Sequence, residues 1–280
     1  MPIQMDLADV AAFVCKQRSC SLIADLGVGA HKRAYLIEQD GARFALKIAP
    51  ITPSLKPRFE REATALAGCK HPSVAVLHES VPLSLGGNEF WVSIEEYLSG
   101  GTLSSRVAAG QVDHALVRRI GLSLADALDH LRERNLVHRD IKPANVLFRS
   151  ADEAVLTDFG IVRMLDAPTL TQEFLPQGPG TPLYASAEQL LNEMVLIDWR
   201  TDQFGLAVVL AECAIGYHPF TPEGDVPLAI SRVAKRQAVP PESCEKLAAA
   251  GFGSLIKAMA PWPVQRYRYP KDFIHSLSVE

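Results

Sequence analysis

The 280-residue sequence predicts an α+β protein in two parts, a β-rich lobe of about 95 residues followed by a larger, mainly helical lobe. Three observations carry this reading. Residues 20 to 50 hold two alternating apolar runs split by a glycine-rich turn, the pattern of half-buried strands. Residues 113 to 134 place Leu116, Ile120, Leu124, Leu128 and Leu131 at helical spacing, a strong amphipathic helix. Residues 201 to 216 are apolar almost throughout, as a buried helix is.

The remaining elements follow in order. Residues 5 to 17 form a short amphipathic helix with Leu7, Val10, Phe13 and Val14 on one side, so residues 1–19 read as a helical extension ahead of the main domain. Asp40-Gly41 marks a hairpin between strands. "PRFEREATALAGC" has helical spacing through Phe59, Ala63 and Leu66 and stops at Gly68. Two short strands are expected around Val74 to Leu77 and Phe90 to Ile94, separated by "SLGGN". "EEYLSGG" connects the lobes, two short strands flank residues 145 to 157, and a loop rich in Pro, Thr and Gly spans about 161 to 182.

Composition excludes several classes. A net charge of −4 with scattered basic residues gives no reason to expect nucleic-acid binding. No apolar stretch reaches the ~18–20 residues of a membrane span, and Glu212 interrupts the best candidate. The first residues carry Asp6 and Asp9 and no basic region, unlike a signal peptide. Five dispersed cysteines without a C-x-x-C pair suit a reducing cytoplasm.

The chemistry-bearing residues gather in a few segments. In "LGVGAHKRAY", Gly27 and Gly29 sit between strands, where a turn lets backbone N–H groups approach a phosphate. Lys47 interrupts an apolar strand in "FALKIA"; it either snorkels from an edge or reaches into a cleft to hold phosphate oxygens. In the second case it needs a carboxylate, Glu62 or its neighbour Glu60. "LVHRDIKPANVLF" is more specific: Asp140, Lys142 and Asn145 share one tight loop. Phosphoryl transfer uses these types, a carboxylate to orient the attacking hydroxyl, a cation for the phosphate and an amide oxygen for Mg²⁺. Asp158 in "TDFG" supplies a second oxygen ligand for that metal.

"HRDIKPANVLF" together with "DFG" resembles the eukaryotic-type (Hanks-type) Ser/Thr protein kinases, in a compact, bacterial-like form. The resemblance covers residues 20–278 and implies the bilobal kinase fold: an N-lobe of about 20–95, a hinge of about 96–101 and a C-lobe of about 102–278, with ATP in the cleft between the lobes. It implies that Gly27 and Gly29 cover the phosphates and that Lys47 is the N-lobe lysine, paired with Glu62. Ala34, Ala45 and Leu147 would line the nucleotide, and the backbone of Glu96 and Leu98 would contact adenine. Asp140 would accept the substrate's proton, Lys142 touch the γ-phosphate, and Asn145 and Asp158 hold Mg²⁺, with Mn²⁺ as a substitute. Lys142 places the chain in the Ser/Thr branch, and Thr181 would contact Asp140 and Lys142. Glu188 would pair with Arg266, Asp202 would anchor the catalytic loop, and Leu66, His138 and Phe159 would stack.

Three positions depart from the family's pattern. Lys32 replaces the third glycine of the glycine-rich loop, and Ala187 replaces the proline of Ala-Pro-Glu. The hinge alignment puts Glu95 at the gatekeeper, which is usually apolar. Either Glu95 stands there with a partner or a raised pKa, or a one-residue shift places Ile94 there or Glu95 turns outward. The shift and the outward turn are the slightly favoured readings, because a buried carboxylate is costly. Arg139 is in place to receive an activation-segment phosphate, with Thr169 and Thr171 as autophosphorylation candidates; a dimer would serve that reaction in trans. The expected function is a cytoplasmic ATP-dependent protein kinase acting on protein hydroxyls and consisting of little beyond its catalytic domain. The alternatives are a pseudokinase-like binding scaffold and, less favoured, a small-molecule phosphotransferase.

Overall fold

The computed structural model describes residues 5–28, 32–52, 56–158, 163–164 and 182–280. The chain divides into two units, Met1–Lys70 with Ala75–Tyr97, and His71–Val74 with Leu98–Glu280.

The first unit opens with helix α1 (Leu7–Arg18), capped by Asp6, whose carboxylate accepts from the Ala8 N–H. Strands β1 (Ser21–Val28), β2 (Arg33–Gln39) and β3 (Ala42–Ile51) follow, then α2 (Lys56–Ala67), β4 (Leu77–Leu85) and β5 (Asn88–Glu96). They form an antiparallel five-stranded sheet of order β1-β2-β3-β5-β4. The predicted turn at Asp40-Gly41 joins β2 to β3 with positive φ at both residues, 52° and 78°. Such a two-residue turn matches the twist of the strands it connects. The strand expected at Val74 to Leu77 instead begins at Leu77 and runs to Leu85. Pro82 conceals it in the sequence, but β4 lies at the sheet edge, where a missing N–H is tolerated.

Because successive strand side chains point to opposite faces, the sheet has two distinct surfaces. One carries Tyr35, Ile37, Leu46, Ile48, Phe90, Val92 and Ile94, which pack with Val10, Ala11, Val14 and Cys15 of α1. The other carries Ala49, Ile51 and Trp91, which pack with Phe59 and Ala63 of α2.

The second unit is mostly helical: α3 (Leu103–Ala108), α4 (His114–Arg132), α5 (Ala187–Leu190), α6 (Trp199–Ile215), α7 (Val226–Ala234), α8 (Pro241–Ala249), α9 (Ser254–Ala258) and α10 (Pro270–Val279). Between α4 and α5 lie short strands β6 (Leu136–Val137), β7 (Val146–Phe148), β8 (Ala154–Leu156) and β9 (Arg163–Met164), pairing β6 with β9 and β7 with β8. Helix α6 is apolar all round because it is the core: residues from Leu206 through Ala211 have no exposed surface, and α4 and α9 pack on it. The connector needs its glycine. Gly100 N–H donates to the Phe148 carbonyl at 2.8 Å, and a Cβ on Gly100 would stand 2.6 Å from that same oxygen. Among the described residues no helix is long and apolar enough to cross a membrane.

Candidate active site

The loop from His138 to Asn145 is built on Asp202, in the first turn of α6. The buried Asp202 carboxylate accepts from the His138 N–H and the Arg139 N–H, each at 2.7 Å. Burial pushes its pKa up to about 7, against the two backbone donors and the Arg139 charge that hold it down. Arg139 takes a left-handed backbone conformation, φ 69°, which this grip sustains. His138 is fully buried, and its Nε2 lies 2.9 Å from the Thr157 carbonyl, which can only accept. Nε2 therefore carries the proton, and Nδ1 accepts from the Asp140 N–H at 3.2 Å. Both ring nitrogens of His138 hold backbone in place, a structural rather than a proton-transferring role.

Asp140 presents a carboxylate with one oxygen already engaged. Lys142 Nζ and Asn145 Nδ2 each donate to Asp140 Oδ2 at 2.8 Å, and Asn145 Nδ2 also reaches the Asp140 carbonyl at 2.8 Å. Pro143 opens the single 3₁₀ turn, Pro143–Asn145, that brings these groups together. The Asn145 NH₂ is directed at Asp140, and its amide oxygen takes no part in these bonds. The Thr157 N–H donates to the Asn145 carbonyl at 2.9 Å, and the β7–β8 pairing stands Val146 opposite Leu156. Asp158, half-buried with φ 65°, thus follows directly from the strand paired beside Asn145. An amide oxygen and a carboxylate are hard donors, and they fit a divalent cation that retains several waters.

Behind this loop lies an ion pair without solvent exposure. Arg266 Nη1 and Nη2 donate to Glu188 Oε1 and Oε2 at 2.6 and 3.1 Å, and the Thr201 hydroxyl adds a bond to Oε1 at 3.0 Å. Ala187, in the proline's place, is the buried first residue of α5 and leaves that turn formed. Two further contacts were not anticipated from the sequence. Gln189 Nε2 donates to the Arg139 carbonyl at 2.7 Å. The Tyr184 hydroxyl donates to Glu212 Oε2 at 2.7 Å, and burial raises the pKa of both groups. A lone carboxylate within the apolar run of α6 was the available signal for the second. Thr169, Thr171, Thr181 and Phe159 lie outside the described residues.

In the first unit, the β2–β3 and β3–β5 registers pair Ala34 with Lys47 and Ala45 with Glu95. Ala34, Ala45, Lys47 and Glu95 therefore share the face on which α2 packs. Lys47 Nζ donates to Glu95 Oε2 at 2.6 Å, and the Ser93 hydroxyl donates to Glu95 Oε1 at 3.3 Å. Ile94 pairs with Leu46 on the opposite face, buried in the core beneath α1. Both the one-residue shift and the outward-turned Glu95 are thereby corrected. Strand alternation leaves Glu95, not Ile94, on the lysine's face, and Lys47 is the partner its carboxylate requires. Glu62 lies on α2, with its side chain outside the described residues. Gly27 has φ 116° and donates its N–H to Asp25 Oδ1 at 2.8 Å; Gly29 lies outside the described residues. Glu96 is half-buried at the end of β5, Leu98 is buried, and Leu147 is half-buried in β7.

Comparison with known proteins agrees with this geometry. The protein kinase domain family matches residues 21–263. A probable serine/threonine-protein kinase of Clostridium perfringens is 31% identical over 223 residues, covering 79% of this chain and 31% of its own length. Serine/threonine-protein kinase PknB of Mycobacterium leprae is 29% identical over 218 residues, covering 77% of this chain and 34% of the relative. The probable PknB of Bifidobacterium longum is 32% identical over 225 residues, covering 77% and 32%. The chain thus spans about a third of the length of the curated relatives it matches. With the α+β architecture, the Asp202-anchored loop and the match over residues 21–263, the chain belongs to the protein kinase domain family.

Proposed function

We propose that this chain is an ATP-dependent protein-serine/threonine kinase, with residues 20–278 as its catalytic domain and 1–19 as a helical extension. The observation that carries the proposal is the Asp140 carboxylate, whose Oδ2 is held by Lys142 and Asn145 at 2.8 Å each. Those bonds leave Oδ1 to accept the proton of a Ser or Thr hydroxyl as its oxygen attacks the γ-phosphorus of ATP. The bond to the β,γ-bridging oxygen breaks, and ADP leaves. Lys142, already beside Asp140, meets negative charge on the transferring group, and Lys47 holds the phosphates that stay with ADP. Mg²⁺, held by the Asn145 amide oxygen and the Asp158 carboxylate, would supply charge neutralisation at the phosphates; Mn²⁺ offers similar oxygen coordination. Lys142 supports Ser/Thr over Tyr as the acceptor, on the family resemblance.

Five dispersed cysteines without a C-x-x-C pair support a cytoplasmic setting. Arg139 supports control by a phosphate on the activation segment, with Thr169 or Thr171 modified in trans within a dimer. Mass spectrometry after incubation with Mg-ATP reads that modification. Unmodified threonines in an active enzyme would remove it.

Incubation with labelled ATP, Mg²⁺ and a generic protein acceptor tests the main reading. Wild type labels Ser and Thr, while Asp140→Asn loses roughly 10²–10⁴-fold of the transfer rate and retains ATP binding. No transfer by wild type would point to a binding scaffold, and label on a small molecule alone to a different phosphotransferase.

A further inference from the structure

The structure gives Lys47 a carboxylate partner that no kinase motif supplies. The Lys47–Glu95 pair spans 2.6 Å with side chains only 13% and 18% exposed. Lys47 stands directly opposite Ser93, and Glu95 is two residues further along the same face of the neighbouring strand. Diagonal positions of this kind lie within reach of long side chains. A charge-assisted hydrogen bond between largely desolvated groups is short and directional. Each charge also offsets the cost of burying the other, so neither side chain is at liberty to turn away. Ser93 fixes the second carboxylate oxygen and so sets the plane of the carboxyl group.

We propose that Glu95 is a positioning residue for Lys47, holding the ammonium from within the sheet at the place where it meets nucleotide phosphate. The family assigns that task to a glutamate on the helix, here Glu62 on α2. A partner on β5 differs in kind, because both ends of the pair belong to adjacent strands of one hydrogen-bonded ladder. The orientation of Lys47 is then tied to the sheet itself, and the departure at the gatekeeper has a role. An apolar residue at 95 would remove the Glu95 charge from beside Lys47. The Lys47 ammonium has three donors, so a bond to Glu95 does not by itself preclude bonds to phosphate oxygens.

This inference rests on the kinase reading, so its test uses two readouts. In the phosphoryl-transfer assay, Glu95→Gln, which keeps shape and removes charge, lowers kcat/KM for MgATP about tenfold. Glu95→Asp, which keeps the charge, recovers part of that loss. In the Lys47→Met background, Glu95→Gln has no further effect, the non-additivity of residues acting through one contact. Calorimetric titration with a non-hydrolysable ATP analogue and Mg²⁺ repeats the same cycle on affinity, and it does so even if wild type transfers no phosphate. Glu95→Gln equal to wild type in both readouts would overturn the proposal. So would Glu95→Asp as impaired as Glu95→Gln, or the same loss from Glu95→Gln with and without Lys47. An inactive wild type whose nucleotide affinity still shows the coupling would count against the kinase reading alone.

Discussion

Glu188 and Arg266 form a pair of charges with no access to water, and each is tolerable only because the other is there. Burial lowers the Arg266 pKa, and the Glu188 carboxylate counteracts it. Removing one member strands the other, a cost of about 3–5 kcal/mol for buried pairs. Glu188→Ala should therefore lower the unfolding free energy by roughly that amount, as chemical denaturation would measure. This pair was legible in the sequence because both residues sit in recognisable segments, "YASAEQ" and "PWPVQRY". Asp140, Lys142 and Asn145 were legible for a similar reason, since one short loop holds them all. Lys47–Glu95 was not. Its members lie 48 residues apart, and their meeting depends on which strands are neighbours and in what register. The periodicity of one strand cannot supply that.

At the level of elements, the long periodic segments were the easiest to read. Helix α4 runs from His114 to Arg132 with Asp113 as its cap, inside the predicted range of 113 to 134. Helix α6 starts at Trp199, ahead of the predicted 201, because the Asp198 carboxylate caps it by accepting from the Arg200 N–H. Strand β4 was misplaced because Pro82 reads as a breaker when the strand's position at the sheet edge is unknown. The first helix was visible as amphipathic, but its destination was not. Its apolar side covers the sheet face opposite Lys47, and it is secured by an Arg18–Glu79 ion pair and a 3.0 Å bond from Gln39 Nε2 to the Arg18 carbonyl. One sheet thus has a face given wholly to packing and a face that carries the lysine.

Across the whole molecule, buried polar groups set the response to pH. His218 Nε2 donates to the Leu183 carbonyl, while Nδ1 accepts from the Phe220 N–H. Protonation would press a second ring N–H against that donor, and burial pushes the pKa from 6.5 down to about 4. The unfolded chain binds this proton more tightly, so the contribution is present above pH 6.5 and is lost as pH falls to about 4. The loss is roughly 3 kcal/mol and is opposed by Asp202 and Glu212, whose raised pKa values have the opposite sign. His218→Asn removes this one contribution, so its denaturation midpoint relative to wild type should rise as pH falls from 6.5 to about 4. The grip of α6 on the His138–Asn145 loop has a kinetic counterpart. The amides of His138 and Arg139 belong to a loop, yet their acceptor is a side chain of the most buried helix. Fraying of the loop alone would leave Asp202 buried and unbonded, so these two protons are released only when α6 itself opens. In native-state hydrogen exchange they should persist as long as the amides of Val208 and Leu210, which makes the His138–Asn145 loop as slow to exchange as the core beneath it.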